Sequence, residues 1–187
     1  LMDMNNNYYT ANSNFNHIFN QGHELSIDVF HSNTDNDIPY SFTQYSTDEN
    51  FNIQSNSSDY EIRTENDVKR EFYRIKSDYT LPLNEKAKFE TGYQLDTRIS
   101  KSNYTHQQLF DDLWITNNDL SNSSDFLRSI HAAYAMFSSE MHNIKYQFGL
   151  RAEYCHRELK QNTGIEPVNF SKLNFFPTIH LSKELSK

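Results

Sequence analysis

Eight histidines, one cysteine and the acidic pair Asp111 and Asp112 are the residues of this chain best suited to chemistry. The histidine spacing matches no zinc motif. Asp111 and Asp112 lie in a polar stretch that offers no apolar pocket for a general acid. Cys155 and His156 suggest a nucleophile and its base, but adjacent residues of a strand point to opposite faces and cannot meet. We therefore predict no catalytic residues, no metal site and no cofactor.

Composition and charge exclude other classes of protein. The 187 residues have a formal net charge of −8, which makes nucleic acid a poor partner because binding its phosphates requires clustered cations, and no nucleic-acid partner is expected. The longest apolar stretch, HAAYAMF at residues 131–137, is too short for a transmembrane helix, and no signal peptide is visible. A single cysteine excludes an internal disulfide framework. An aromatic content of 14% nevertheless indicates a chain that folds.

Alternating apolar and polar residues predict β-strands in four segments. In KFETGYQLDTRI, residues 88–99, side chains such as Phe89, Tyr93 and Leu95 occupy one parity, and charged or amide side chains occupy the other. Segments 25–31, 72–83 and 144–155 follow the same period of two, which puts alternate residues on opposite faces of a strand. All eleven charged residues of the four segments lie on the polar parity. Each of these strands therefore has one apolar and one polar face.

Three further segments alternate more weakly, at residues 9–19, 126–138 and 175–185. They bring the predicted number of strands to seven. Parity in these segments places His131 and His180 on the polar face.

The links between the predicted strands alternate in length. Short links lie near residues 20–23, 84–87 and 139–143, and long polar links lie near 33–69, 101–125 and 157–172. Hairpin links are usually two to five residues, whereas loops beyond about 15 residues are uncommon in compact domains. In a meander this alternation places all the tight turns at one end and all the long loops at the other. Outer-membrane barrels have this arrangement.

We therefore predict an all-β fold, an antiparallel up-and-down meander that forms a segment of a large transmembrane β-barrel. A barrel pairs its backbone amides between strands, and each strand crosses the membrane in about 9 to 11 residues. Its wet interior requires only one apolar face per strand, which agrees with an apolar content of 36%. The alternative is a soluble or surface-exposed all-β ligand-binding module whose apolar faces pack on each other.

Three segments resemble a known family. YQFGLRAEY at residues 146–154 resembles a strand signature ending in GLRxEYT, and NFFPTIHLSKELSK at 174–187 resembles the FPS-x-x-LSY-x-L stretch that follows it. With AAYAMFS at 132–138, these segments resemble Bacteroidetes-type outer-membrane β-barrel proteins related to TonB-dependent receptors. Cys155 stands where the family tends to have Thr, and Lys183 where an aromatic residue is usual.

The resemblance implies a receptor of the Gram-negative outer membrane, with a barrel of about 22 strands around a plug, that imports a nutrient using the TonB complex. Seven strands do not close such a barrel, so we expect residues 1–187 to be a single partial barrel segment of a longer parent chain. The expected partners are outer-membrane lipid, the remaining barrel strands and plug of the parent chain, and the TonB complex through that parent chain.

Aromatic residues in the long links are the candidate ligand-binding residues. They are Tyr40, Phe42, Tyr45 and Tyr60 in the first link, and Tyr104 and Trp114 in the second. Exposed loop aromatics suit stacking on sugars, chelates or peptide side chains. The packing of loops on one another, or an aromatic girdle at the lipid boundary, is the alternative role and the commoner one for such residues.

The predicted function is nutrient binding and import at the bacterial outer membrane, without enzymatic activity. A barrel hydrolase would need a serine, a histidine and an acid converging at one rim, and the sequence shows no such set. The ligand, a small molecule, a glycan or a peptide, is not specified by any recognition motif.

Overall fold

A computed structural model describes residues 4–54, 60–162, 164 and 166–183. Within them the chain forms one antiparallel sheet in which the seven long strands are neighbours in chain order and a short strand, β5, pairs with β4. The strands are β1 Asn5–Asn20, β2 His23–Gln44, β3 Tyr60–Asn84, β4 Ala87–Phe110, β5 Leu113–Thr116, β6 Asn122–Met141, β7 Ile144–Gln161 and β8 Val168–Lys183. The predicted all-β meander is confirmed, with β5 as an addition. The end of the last predicted strand, Leu185, lies outside the described residues.

Three two-residue turns join the long strands at one end of the sheet, near the predicted short links. They connect β1 to β2, β3 to β4, and β6 to β7. In the last of them, His142 and Asn143 have φ of 50° and 60°. Two consecutive positive φ values are the backbone geometry of the type I′ hairpin turn, and Asn tolerates it well.

Most of the predicted long links are strand, so their assignment as loops is wrong. Residues 33–44 continue β2, 60–69 begin β3, and 101–110 continue β4. The third link, 157–172, is strand up to Gln161 and again from Val168. These stretches carry polar residues on both parities, which erases the period of two by which a strand is recognised. The acidic pair Asp111 and Asp112, with φ of 47° and 61°, forms the turn between β4 and β5.

The stagger of the tight turns gives the tilt of the strands. Glu24, one residue from the turn end of β2, pairs with Thr80, four residues from the turn end of β3. Ala87, the first residue of β4, pairs with Ser139, two residues from the turn end of β6. The first of these pairs gives an offset of three residues and the second an offset of two. From the first turn to the last, the turns therefore shift by five residues along the strand direction while the sheet advances by four strand spacings. At about 3.3 Å per residue and about 4.8 Å between strands, turns at one level require a tilt of about 40°, within the range of barrels.

The described residues form a single layer. Each strand contacts only the strands to which it is hydrogen-bonded. Among these residues only four are buried, and they are Val68, Ala87, Ala132 and His106. Large apolar side chains such as Ile179 and Phe175 are 67% and 61% exposed. A soluble module would cover these side chains with a second layer, and the described ranges contain none.

Among those same residues, no helix is long and apolar enough to cross a membrane.

Candidate functional site

The register assigns each residue to one of two faces. Directly opposite residues of antiparallel strands share a face, so the alignment of Phe89, Phe137 and Phe148 joins the apolar parity across β4, β6 and β7. On these strands the apolar parity covers residues 89–99, 127–137 and 146–154, the length with which a tilted strand crosses a bilayer. We call this zone the apolar band, and the opposite side of the sheet the polar face.

His131 lies on the face of the apolar band, so its predicted place on the polar face is wrong. It is directly opposite Leu95 on one side and Tyr154 on the other. The error arises because β6 carries large apolar residues on both parities, and its alternation alone does not distinguish its faces. His180 is opposite Gln147 and lies on the polar face, as predicted.

Four of the six predicted ligand-binding aromatics share the polar face, beyond the apolar band. They lie on adjacent strands, Tyr40 and Phe42 on β2, Tyr60 on β3 and Tyr104 on β4. Thr64 pairs with Tyr40 on one side and with His106 on the other, which brings the aromatic stretch of β2 level with the outer part of β4. The structure therefore groups these aromatics on one strand-built surface rather than on loops.

Trp114 and Tyr45 are separate from that surface. Trp114 pairs with Leu109 and lies on the opposite side of the sheet. There the guanidinium carbon of Arg63 lies 4.4 Å from the centre of the Trp114 ring, and Arg63 Nε donates a 2.5 Å hydrogen bond to Gln107. Tyr45 follows the end of β2. A ligand on the polar face would not reach Trp114.

His106 is a residue that the sequence did not single out. Its side chain is only 7% exposed, and its Nδ1 is buried with no hydrogen-bond partner among the described residues. The backbone N–H of Asn117 donates to the carbonyl of His106 at 2.8 Å, and the N–H of His106 donates to Ser121 Oγ at 2.9 Å. Residues 117–121 are thus held against His106. In the sequence His106 is an isolated histidine in a polar stretch, and nothing there indicates that its side chain is buried.

Most charged side chains at the level of the apolar band lie on the opposite, polar face of the sheet, and most of them are paired there. Arg74 donates two hydrogen bonds to Asp96, at 2.7 and 3.0 Å. Tyr134 Oη donates to Asp78 Oδ1 at 2.6 Å, and Lys76 contacts the other oxygen of the same carboxylate at 2.5 Å. Such a surface is compatible with water and incompatible with hydrocarbon.

Three carboxylates converge on the other side of the sheet, beyond the apolar band. Asp37, Glu65 and Asp67 each place one oxygen so that all lie within 4.8 Å of one another. Asp37 is directly opposite Asp67, and Glu65 is opposite Pro39, so the register of β2 and β3 produces the cluster. Carboxylate oxygens are the ligands of hard cations. Spacing in the sequence gives no sign of this arrangement.

Two ionisable groups beyond the apolar band have shifted pKa values. Hydrogen bonds from the Asn52 side chain, at 3.0 Å, and from the Asn52 and Asn50 backbone amides lower the pKa of Asp48. The hydrogen bond to Glu158, at 2.9 Å, raises the pKa of Lys160. Both groups therefore keep their charge at neutral pH.

The geometry, a tilted single-layer meander with one lipid-compatible face, is that of a segment of an outer-membrane barrel wall. The chain belongs to the outer membrane protein beta-barrel family, whose model matches residues 3–187. Its polar face accordingly lines the barrel lumen, its apolar band contacts lipid, and its location is the bacterial outer membrane.

A solved structure with a similar fold is the crystal structure of the ferric citrate transporter FecA in the unliganded form. The TM-score is 0.61 at 10% sequence identity, over 98% of this chain and 26% of that chain. This chain thus spans about a quarter of the length of that structure, and the likeness concerns the fold. No curated protein matches the chain. The narrower resemblance, to TonB-dependent receptors of the Bacteroidetes type, stays a prediction.

Proposed function

We propose that the chain forms part of the barrel wall of a TonB-dependent outer-membrane transporter that binds and imports a nutrient. The parent polypeptide would supply the remaining strands and the plug, and the TonB complex would supply the energy. The role proposed for these residues is binding and passage rather than catalysis. The similarity in fold to a ferric citrate transporter supports a large transport barrel.

The observation that carries this proposal is the continuous polar face. It runs from the paired charges inside the apolar band to Tyr40, Phe42 and Tyr104 beyond it. Aromatic rings on a rigid wall above a polar lumen suit the first capture of a small molecule, a glycan or a peptide. Ligand capture thus belongs to the lumen-facing parity of β2 to β4.

Growth of a deletion strain on single limiting nutrients tests the proposal. Deletion of the gene should abolish growth on one nutrient or a small group, and loss of TonB should have the same effect. When expressed in the deletion strain, the double variant Tyr40→Ala and Phe42→Ala should restore growth incompletely. Trp114→Ala, the matched aromatic control on the opposite side of the sheet, should restore it fully. Unchanged growth of the deletion strain on every nutrient, or no effect of losing TonB, would contradict the proposal.

A further inference from the structure

A row of three arginines crosses the polar face from β4 to β7. Arg98 is directly opposite Arg128, and Arg128 is directly opposite Arg157. The row ends in Phe72 on β3 and Phe170 on β8, each directly opposite the neighbouring arginine. Residues in such positions point to the same face with Cβ atoms about 5 Å apart. The five side chains, which we call the arginine row, therefore stand next to one another on the lumen wall.

The positive charges of the arginine row are not compensated by the residues around it. None of the three arginines takes part in an ion pair or a side-chain hydrogen bond within the described ranges. Asp96 lies near enough to attract Arg128, but its oxygens accept hydrogen bonds from Arg74 and Gln94. Like charges directly opposite one another destabilise a sheet. The three guanidinium charges of the row therefore repel one another, and a bound anion would reduce that repulsion.

The aromatic ends position the outer arginines. The guanidinium carbon of Arg98 lies 5.8 Å from the centre of the Phe72 ring, and that of Arg157 lies 5.9 Å from the Phe170 ring. A guanidinium over an aromatic ring is attracted to it and still presents its N–H donors at its edge. Arg98 and Arg157 are exposed and Arg128 is half-buried, so the donors are open to the lumen.

An apolar cleft adjoins one end of the arginine row. Its volume is about 300 Å³, at the lower limit of small-molecule sites. The cleft is lined by Phe126, Leu159 and Val168 together with Arg157, Phe170 and Glu158. The carboxylate of Glu158 is paired with Lys160 at 2.9 Å. The site therefore combines adjacent guanidinium groups with a place for an apolar part of a ligand.

We propose that the arginine row binds an organic anion with two or three carboxylate or phosphate groups, whose apolar part occupies the cleft. Each arginine can donate two parallel hydrogen bonds to one such group. Three arginines whose Cβ atoms are about 5 Å apart match a compact polyanion better than a lone carboxylate. The inference names a ligand class for the proposed transporter and to that extent rests on it. It is tested by binding rather than by uptake, so the two can fail separately.

The test is calorimetric titration of the intact polypeptide in detergent at low ionic strength. Benzene-1,3,5-tricarboxylate is the probe and benzene-1,3,5-tricarboxamide its uncharged control. The wild type should bind the first and not the second. Arg128→Gln should weaken binding about tenfold, as expected for a lost charge-assisted pair. Lys145→Gln removes the same charge from an exposed position on the same face, twelve residues along β7 from Arg157, and should leave affinity within about twofold.

A stability measurement separates ligand binding from a structural role. Without anion at low salt, Arg128→Gln should raise the urea midpoint of unfolding, because it relieves repulsion in the row. A structural arginine would behave in the opposite way. The proposal is overturned if the wild type binds neither probe, or if both variants weaken binding equally. A lowered midpoint for Arg128→Gln would also overturn it, since a carboxylate from elsewhere in the polypeptide would then already occupy the row.

Discussion

The ring of Tyr134 covers Gly92 on the lumen side of the sheet. The two residues are directly opposite each other on β6 and β4, and the hydroxyl of Tyr134 reaches past Gly92 to Asp78 on β3. A Cβ atom on Gly92 would lie 2.5 Å from Tyr134 Cε1 and 2.6 Å from the carbonyl oxygen of Ser77. Glycine is therefore required here by close approach, and one tyrosine links three strands.

Gly92→Ala should destabilise the assembled barrel by about 1–3 kcal/mol, the range for forcing extra volume into a packed site. The matched control is Gly149→Ala, where the added Cβ comes closer than ordinary van der Waals contact only to the movable Oγ1 of Thr178, at 2.6 Å. Rotation of that side chain should limit the cost to about 1 kcal/mol. Urea titration in lipid measures both. Equal losses would show that the ring of Tyr134 does not rest on Gly92.

Phe148→Arg should destabilise the barrel by about 2–4 kcal/mol, because Phe148 lies in the apolar band and an arginine there enters hydrocarbon. The Phe148 side chain is 47% exposed in the sheet, as a lipid contact requires. Gln147→Arg places the same side chain one residue away on the polar face and should cost little. If the two variants unfold at the same urea concentration in lipid, the assignment of the two faces is wrong.

Arg63→Gln should make Trp114 more accessible to acrylamide. The guanidinium of Arg63 covers the ring at 4.4 Å, and the pair is worth about 0.5–1 kcal/mol at an exposed site. Trp114 is the only tryptophan of these 187 residues, and subtraction of the Trp114→Phe signal isolates its fluorescence. An unchanged quenching constant would contradict the stacked geometry.

The turn around Asp48 should loosen in acid. Because its hydrogen bonds from Asn52 and Asn50 hold the pKa of Asp48 below the usual aspartate value of about 3.9, the stabilisation is complete above that value. It is lost as pH falls through the lower folded-state pKa. Hydrogen exchange of the Asn50 and Asn52 amides, corrected for intrinsic rates, should therefore accelerate in that window. Asp48→Asn should abolish this pH dependence, and persistence of the effect in that variant would assign it to another group.

Much of the fold is predictable because hydrocarbon and water impose different residues on the two faces of a strand. In the segment 88–99 every charge lies on one parity, which fixes both the strand and its orientation. Beyond the apolar band both faces meet water, so the sequence around Tyr40 and Tyr104 shows no alternation and predicts loops. In β6, large apolar residues on both parities hide the alternation in a similar way, and the predicted face of His131 is therefore wrong.

The arginine row is formed by the register between neighbouring strands. The two-residue turn at His142 and Asn143 fixes the pairing of Arg128 with Arg157, but the sequence predicts a longer link at 139–143, which leaves that register open. Arg98 and Arg128 are joined through the longer connection that contains β5, and no turn rule sets that register. The assembly of the arginine row is therefore seen in the structure and is not predicted by the sequence.

Strands β2 to β4 continue for ten or more residues past the apolar band. At about 3.3 Å per residue and a tilt of about 40°, this part of the wall rises about 30 Å from the bilayer as a stiff collar. Large particles in the medium would meet the outside of the collar first, whereas a solute that enters the lumen would pass along its inside. Because the two surfaces carry alternate residues of the same strands, substitutions on the outer surface can change what the collar presents to the medium without altering the side chains that face the lumen.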